Sequence, residues 1–531
     1  MTGTRTDNLR ALKRYVGGAQ KTVSVPASEA PKRNDNSAQW ADPEVFKGNL
    51  ERKDLTREEY APNSGGAPLH SDGKVCHVDP SDHHTLVIGS TGSKKSRLIC
   101  MPMLDILARA GESVVVADPK GELYVTTGES FRSRGYKVHV LNFREFLRGD
   151  RWNPFHSIHK ISRESEEGRE LAIEMLMDLC NNMCPTVDTE DPFWEDMARA
   201  LLYSLSSLLL FGSEDPGNVN IVQVGKMLET IFHLWDDSDA KDRLPSTELA
   251  NGVRAVLKEP ANTRACVVGM LQSKLWTYLS QRTLRDMMSG NDIEYGEFGH
   301  EKSVLFLIVP DEKTTYNGLV SILVQQMYEG LIREAQFCPG GTLPVRVNFV
   351  LDEFASFPRI NQMQSMISAS RSRNIRFTLV VQSVRQLKAR YKGDAETIME
   401  NCLNWLFLYG RDTDFLDDLV KVLGEGEEGG GLVAVSRLQR LDVSKGEVLV
   451  LNARQDPIIS NLADISCVHG IREPAVIPDR REILDITPLN LQRFFRDFEE
   501  EDDYVDQSED LDSLRPLFER WRRHITSSEG V

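Results

Sequence analysis

Eight consecutive residues of this 531-residue chain have the types and spacing needed to bind phosphate groups. The stretch reads Gly-Ser-Thr-Gly-Ser-Lys-Lys-Ser and lies between apolar residues typical of a strand and apolar residues typical of a helix. A tight turn in this context directs several backbone N–H groups, and the positive end of the helix, toward one point. The predicted phosphate-binding residues are Gly89, Ser90, Thr91, Gly92, Ser93, Lys94, Lys95 and Ser96.

Two side chains of this loop have a specific chemistry. Lys95 would reach the terminal phosphates of a nucleotide, and the Ser96 hydroxyl would bind Mg²⁺. Lys94 departs from the motif G-x-x-x-x-G-K-[ST], because it occupies the position of the second glycine. It replaces a small residue where backbone and phosphate approach closely, and it adds a positive charge. The alternative interpretation is a Ser- and Gly-rich turn that carries two solvated lysines.

A pair of carboxylates far downstream could complete this chemistry. Asp352 and Glu353 follow the apolar residues of a second predicted strand. Asp352 would hold Mg²⁺ directly or through water, and Glu353 would polarise an attacking water as general base. Taken alone, the pair is also compatible with an ordinary strand end followed by an acidic cap. In combination with the upstream loop, it predicts a Mg²⁺-dependent ATPase.

Further polar side chains flank the next predicted strand. Gln382 follows its end, where a polar amide could sense the γ-phosphate. Arg371, Arg373 and Arg376 precede it or lie at its start. They would form a basic patch or supply an arginine finger to a neighbour's nucleotide, and such a finger stabilises charge on the transferring phosphoryl group. The alternative is that these arginines bind helix-end carbonyls or solvent.

Short apolar segments that alternate with helical ones predict the elements that position these residues. Because the strands are apolar and separated by helices, they favour an α/β fold with a parallel-rich sheet covered on both faces. Between residues 161 and 299 the strand signal disappears and apolar residues recur with helical spacing, which predicts an inserted all-helical domain. The predicted strands are residues 85–88, 113–117, 137–141, 303–309, 346–351, 377–381, 405–409 and 447–451.

Composition limits the classes of function. The net charge of −17 opposes a surface that binds nucleic acid everywhere, although it allows a local basic channel. No apolar run reaches the roughly 18–20 residues of a membrane span, and the N-terminus shows no signal peptide. Cys180 and Cys184 lie one helical turn apart without a second pair near them, so we interpret them as buried thiols rather than metal ligands.

The order and spacing of the motifs resemble those of the type IV secretion coupling ATPases, the TraG-like coupling proteins of bacterial conjugation. The resemblance covers roughly residues 80–465. Besides the phosphate-binding loop, it is carried by Asp118-Pro119-Lys120-Gly121-Glu122, Arg151-Trp152-Asn153-Pro154, Asp191-Pro192-Phe193-Trp194, Leu351-Asp352-Glu353-Phe354, Gln382-Ser383, Glu400-Asn401-Cys402 and Leu406-Phe407-Leu408.

The resemblance implies a RecA-like P-loop ATPase domain with an inserted all-helical domain, and ATP and Mg²⁺ as cofactors. It also implies homo-hexamers around a central channel, with ATP between the subunits. The roles implied by the family are phosphate and Mg²⁺ binding for Lys95 and Ser96, a Walker B pair for Asp352 and Glu353, a sensor for Gln382, and a finger acting in trans for Arg371.

The function implied by the resemblance is that of an ATP-driven coupling protein. It would recruit a DNA–relaxase or protein effector substrate and feed it to a type IV secretion channel. Its contacts with single- or double-stranded DNA would not be sequence-specific, and the helical insertion would help select the substrate. Two alternatives remain: a weakly or non-hydrolysing adaptor platform of the same fold, and a DNA translocase outside conjugation.

The N-terminal region departs from the family, which usually carries membrane helices there. We expect a cytoplasmic protein, either a soluble member of the family or one held at the inner face of the cell membrane by a separate anchor subunit. Isolated protein is expected to be monomeric. The predicted division is a weakly structured arm (1–75), a nucleotide-binding domain in two parts (76–158 and 300–485), the helical insertion (159–299) and an acidic tail with a short C-terminal helix (486–531).

Overall fold

The computed structural model describes residues 38–495, except for 186–191, 235–243, 245–246, 311, 314, 426–430, 453–454, 469–472, 485, 488 and 492. Residues 496–531, which make up most of the predicted acidic tail with its short C-terminal helix, therefore lie outside the described residues. The strands are Glu51–Asp54 (β1), Pro68–Ser71 (β2), Val75–Val78 (β3), Thr85–Gly89 (β4), Ser113–Asp118 (β5), Lys137–Asn142 (β6), Ser303–Ile308 (β7), Val347–Leu351 (β8), Ile375–Val381 (β9), Asn404–Tyr409 (β10), Glu447–Asn452 (β11) and Ile458–Asn461 (β12). All eight predicted strands are confirmed, each to within two residues at either end.

Nine strands form the central sheet, in the order β12-β11-β10-β4-β9-β8-β5-β7-β6. Neighbours from β10 to β6 are parallel, whereas β11 and β12 add an antiparallel edge. This confirms the predicted α/β class with a parallel-rich sheet. The register pairs Ile88 with Val381, and Leu351 with Leu379. The carboxyl ends of β4, β9 and β8 therefore lie side by side.

Alternate side chains of each central strand enter different cores, as the two-residue period of a strand requires. In β4, Leu86 and Ile88 face a core that continues into the helices between β6 and β7. Val87 faces the opposite core. Both faces of the sheet are therefore buried, which explains why its strands are apolar throughout.

The helices are Pro43–Gly48 (α1), Met101–Arg109 (α2), Glu122–Arg132 (α3), His156–Ser162 (α4), Glu166–Met183 (α5), Phe193–Gly212 (α6), Ile221–Leu234 (α7), Asn251–Lys258 (α8), Ala261–Leu279 (α9), Arg282–Met287 (α10), Asn317–Phe337 (α11), Met363–Ala369 (α12), Val384–Tyr391 (α13), Asp394–Asn401 (α14), Thr413–Leu423 (α15) and Val435–Leu438 (α16). Helices α4 to α10 lie between β6 and β7, and the described residues of this stretch contain no strand. A helical block thus interrupts the central sheet in sequence, as predicted.

Residues 38–75 differ from the weakly structured arm that the composition suggested. Helix α1 precedes β1, β2 and β3, and these strands form a small antiparallel sheet in the order β1-β3-β2. Phe46, Leu69 and Val78 are buried in the second core. The composition misled the prediction because these short elements are stabilised by contacts with distant parts of the chain.

A buried polar network attaches this region to the amino edge of the central sheet. Glu112 is fully buried and forms a 3.0 Å ion pair with Arg376. The Asn348 side chain donates to the same carboxylate over 2.8 Å, and the Gly65 N–H donates over 2.6 Å. Arg376 is only 2 % exposed, so the prediction of a basic surface patch that includes it was wrong. Its charge is neutralised by a residue more than 260 positions away.

A segment that we call the C-terminal strap connects the sheet domain to the helical block. It consists of the described residues between Ala475 and Leu489. The Ala475 N–H donates to Val125 in α3 over 2.8 Å. At its other end the strap accepts a 2.8 Å hydrogen bond from Gln223 in α7 through the carbonyl of Thr487. Between these points, Arg481 forms a 2.8 Å ion pair with the fully buried carboxylate of Asp286.

Cys180 and Cys184 are both buried, and burial raises the pKa of each thiol. The described part of the chain contains no group of three His, Cys, Asp or Glu side chains placed to hold a metal ion. Its helices include none that is long and apolar enough to cross a membrane.

The acidic cluster between α5 and α11 predicts a pH-dependent stability. Burial raises the pKa of Glu329 to about 7, with Asp178 and Glu174 adding to the rise and Gln325 opposing it. Because the folded protein favours the neutral acid, Glu329 contributes most stability below the usual pKa of a glutamate, and this contribution is lost as pH rises toward 7. We expect Glu329→Gln to raise the thermal midpoint at pH 8 by about 2–6 °C, equivalent to about 1–2 kcal/mol, and much less at pH 5.

Differential scanning fluorimetry at the two pH values would measure this difference. Glu170→Gln, at an exposed position of α5, is the matched control and should leave both midpoints unchanged. An equal effect of Glu329→Gln at pH 5 and pH 8 would contradict a raised pKa of Glu329.

Candidate functional site

The predicted phosphate-binding loop connects β4 to a helix that begins with a π-helical turn, Ser96–Cys100, and continues as α2. Gly89 is required by packing, because a Cβ atom there would lie 2.4 Å from the Ser93 hydroxyl. Gly92 adopts a positive φ of 82°, which glycine accepts without steric cost. The local sequence therefore forms the tight strand-to-helix turn expected of a phosphate site.

Lys94 has a positive φ of 60°, the left-handed conformation that favours glycine. Its side chain is exposed, so it does not fill the loop. Lys94 thus adopts the backbone conformation that glycine would adopt at this position, but this conformation is strained for lysine.

The strain at Lys94 predicts an unusual order of stability. Lys94→Gly should be at least as stable as the wild type, with a gain of up to about 1 kcal/mol, because glycine adopts this φ freely. Lys94→Val should lose about 1 kcal/mol or more, since a β-branched residue tolerates positive φ poorly. Thermal midpoints of the three proteins test this, and a glycine variant that melts below the wild type would contradict it.

The loop and the downstream carboxylates meet at the carboxyl edge of the sheet. The Ser96 hydroxyl lies 3.2 Å from Oδ2 of Asp352. Lys95 is 7 % exposed and its Nζ lies 4.0 Å from Oε1 of Glu353. The same Nζ donates a 2.7 Å hydrogen bond to the carbonyl of Gly89. Residues separated by more than 250 positions thus form one site.

Gln382 connects the two halves of this site. Its amide donates a 2.9 Å hydrogen bond to Oε2 of Glu353. The hydroxyl of Thr91, in the loop, donates to the Gln382 carbonyl oxygen over 3.2 Å. Glu353 itself has a φ of 55°, in the left-handed region, and such strain in a non-glycine residue is concentrated at functional sites. Strand order explains the contact, because β9 lies between β4 and β8.

The environment of Asp352 is strongly perturbed. Burial raises the pKa of this carboxyl to about 6, and the neighbouring Glu353 adds to the rise. Lys95 and the Ser96 hydroxyl act in the opposite direction. Lys95 is one cation near this buried carboxylate, and a second cation would stabilise its charged form further. The site therefore meets the electrostatic condition for binding a divalent ion.

Asp118 is a further candidate to which sequence analysis assigned no role. It ends β5, the neighbour of β8, and the register pairs Ala117 with Leu351, so Asp118 lies level with Asp352. Burial raises its pKa to about 7. Oδ2 accepts from the Tyr124 N–H over 2.8 Å, whereas Oδ1 has no hydrogen-bond partner among the described residues. Only the order of strands in the sheet reveals its proximity to Asp352.

Arg371 is not part of this constellation. It precedes β9, so it lies at the amino edge of the sheet, about 20 Å of strand away from Gln382. Its guanidinium forms a 3.0 Å ion pair with Asp82, and its side chain remains 35 % exposed. Arg371 therefore cannot reach the phosphate loop of its own chain.

Comparison with known proteins identifies relatives over most of the chain. The profile of the family described as type IV secretory system conjugative DNA transfer matches residues 39–426. The conjugal transfer protein TraG of Escherichia coli is 26 % identical over 417 residues, which cover 72 % of this chain and 63 % of TraG. VirD4 of Rhizobium rhizogenes is 23 % identical over 401 residues, covering 73 % of this chain and 56 % of VirD4. The chain thus spans less than two thirds of the length of these relatives.

Solved structures of the plasmid coupling protein TrwB share the fold. The complex of TrwB with the ATP analogue ADPNP superposes with a TM-score of 0.58 and 16 % identity, covering 86 % of this chain and 99 % of TrwB. The complex of TrwB with ADP and Mg²⁺ gives a TM-score of 0.56 and 16 % identity, covering 84 % and 97 %. This confirms the RecA-like P-loop ATPase fold with an all-helical domain.

Proposed function

Because the chain belongs to the type IV secretory system conjugative DNA transfer family, we propose that it is an ATP-driven coupling protein that delivers a DNA–relaxase or protein substrate to a secretion channel. The observation that carries this proposal is the 3.2 Å contact between Ser96 and Asp352. It joins a phosphate loop and an acidic strand end, as the hydrolysis of a Mg²⁺-nucleotide requires.

The residues present fit ATP and Mg²⁺. The buried Ser93 hydroxyl and Oδ1 of Asp118 both lack a partner among the described residues. Ser96 and Asp352 would hold the ion, and the Asp118 carboxyl beside Asp352 would supply a further hydrogen-bond acceptor there. When bound, Mg²⁺ neutralises charge on the phosphate oxygens. Lys95 would exchange its hydrogen bond to Gly89 for one to the terminal phosphate.

Hydrolysis would depend on Glu353. Its carboxylate would take a proton from the attacking water as general base. Gln382 holds this carboxylate through a 2.9 Å hydrogen bond and would orient it according to the presence of the γ-phosphate. A residue that touches both the loop, through Thr91, and the base is well placed to act as the sensor.

Arg371 would act on the nucleotide of a neighbouring subunit. Its position at the opposite edge of the sheet supports a role in trans rather than in cis.

The role of Arg371 in trans requires an assembly. We propose the homo-hexamer of the family, formed on the cargo or channel from a protein that is monomeric in isolation. Partners would include channel proteins and a membrane-anchor subunit, which would place the protein at the inner face of the cell membrane. The domain division at residues 76–158, 159–299 and 300–485 remains part of this proposal.

ATP turnover by the purified protein, with and without single- and double-stranded DNA, tests the proposal. We expect DNA to stimulate hydrolysis and the stimulation to fall steeply with added salt, because contacts with phosphates release counterions. Lys95→Ala, which lacks the lysine proposed to bind the terminal phosphate, is the control that shows whether turnover occurs at this site. Equal and negligible ATP binding by the wild type and Lys95→Ala would favour the adaptor platform instead. Stimulated turnover without association with a relaxase or channel protein would favour a DNA translocase outside conjugation.

A further inference from the structure

Helix α13 has a composition that contrasts with the rest of the chain. Residues 384–393 contain four basic residues and no acidic residue, in a protein whose net charge is −17. We define its basic face as Arg385, Lys388 and Arg390 of the helix together with Lys392, which directly follows it; all four are exposed. The opposite face is formed by Val384, Leu387 and Tyr391, which are buried. The spacing of these three residues fixes the helix on the domain and directs the basic face to solvent.

The basic face is only weakly neutralised. No described carboxylate lies within ion-pair distance of Arg385 or Lys392. Lys388 lies 3.9 Å from Glu396, but both side chains are largely exposed, and such pairs contribute little. Cations that cluster with so little compensating negative charge repel one another, so they favour binding of a polyanion.

Helix α13 is attached at both ends to the candidate nucleotide site. Ser383 caps its N-terminus by accepting a 3.2 Å hydrogen bond from the Gln386 N–H, and Gln382 immediately before it contacts Glu353. Toward its other end, Tyr391 stacks on Phe354, the residue after Glu353, with ring centroids 5.2 Å apart. These contacts connect Glu353 and Gln382 to the helix that carries the basic face.

On the basis of the function proposed above, we propose that the basic face of α13 contacts the phosphate backbone of the DNA substrate. Two features of the structure select this element: its weakly compensated positive charge and its contacts with the segments that carry Glu353 and Gln382. Contacts of this kind are sequence-independent and sensitive to salt. They would place the DNA beside the elements that carry Glu353 and Gln382 of the candidate nucleotide site.

The test compares two double variants of the full chain. Arg385→Ala/Lys392→Ala removes two charges from the basic face. Lys421→Ala/Lys445→Ala removes the same charge from lysines that are 76 % and 77 % exposed elsewhere. Fluorescence anisotropy with labelled oligothymidylate over a range of salt concentrations measures affinity and salt slope. Thermal midpoints equal to that of the wild type establish that both variants are folded.

We expect Arg385→Ala/Lys392→Ala to weaken DNA binding about tenfold and to reduce the salt slope by about 1.4, since each phosphate contact on a single strand contributes about 0.7. Stimulation of ATP turnover by DNA should fall in parallel, whereas the control should retain both. Wild-type affinity in Arg385→Ala/Lys392→Ala, or an equal loss in the control, would overturn the inference. Labelled polyglutamate, titrated in the same way, represents an acidic polypeptide as the alternative partner. If Arg385→Ala/Lys392→Ala lost binding to polyglutamate but not to DNA, the inference would also be overturned. A wild type that binds no DNA would instead overturn the proposed function.

Discussion

Glu353→Gln is expected to lower ATP turnover by about 10²–10⁴-fold while leaving nucleotide binding within a few-fold of the wild type. Glutamine keeps the shape of the side chain, but it cannot take a proton from water. Binding should persist because the loop backbone, Lys95 and Ser96 are unchanged. Steady-state phosphate release measures turnover, and titration with a fluorescent ATP analogue measures binding.

The control for this prediction is Glu170→Gln, which removes an exposed carboxylate of α5. It should turn over ATP at the wild-type rate. If Glu353→Gln retained full turnover, Glu353 could not be the general base. If it lost nucleotide binding as well, the carboxylate would have a structural role in the loop instead.

Asp286→Ala should lower the thermal midpoint by about 10 °C, equivalent to about 3–5 kcal/mol. The Asp286 side chain is fully buried and lies 2.8 Å from Arg481 and 3.4 Å from Arg151. It also accepts a 2.6 Å hydrogen bond from the N–H of Leu484. Its removal leaves two arginines, 18 % and 17 % exposed, without their buried counter-charge. An unpaired charge in such a site costs more than the ion pair contributes.

The same variant should release the C-terminal strap, because Arg481 and Leu484 both belong to it. Limited proteolysis should cut Asp286→Ala near residue 481 faster than it cuts the wild-type protein at the same site. Asp286→Asn keeps the acceptor for Leu484 and should show a smaller loss. If the melting temperature of Asp286→Ala lay within 2–3 °C of the wild type, equivalent to ~1 kcal/mol, Asp286 could not be an essential buried counter-charge of Arg481 and Arg151.

The sequence alone determined eight of the nine strands of the central sheet, the helical block and the phosphate loop. These features depend on local patterns: apolar runs for strands such as β4 and β8, helical spacing for α5 and α6, and glycines for the loop. Because parallel strands align their carboxyl ends, the residues after β4, β8 and β9 were predictable at the same edge of the sheet. Ser96, Asp352 and Gln382 became neighbours only through the strand order, in which β9 lies between β4 and β8.

The tertiary structure alone decided which charged residues remain available for function. Arg371 and Arg376 are five positions apart, yet one is partly exposed beside Asp82 and the other is buried against Glu112. Asp118 became a candidate only because β5 pairs with β8. Charge and burial depend on partners that are hundreds of residues away, and no local pattern encodes those contacts.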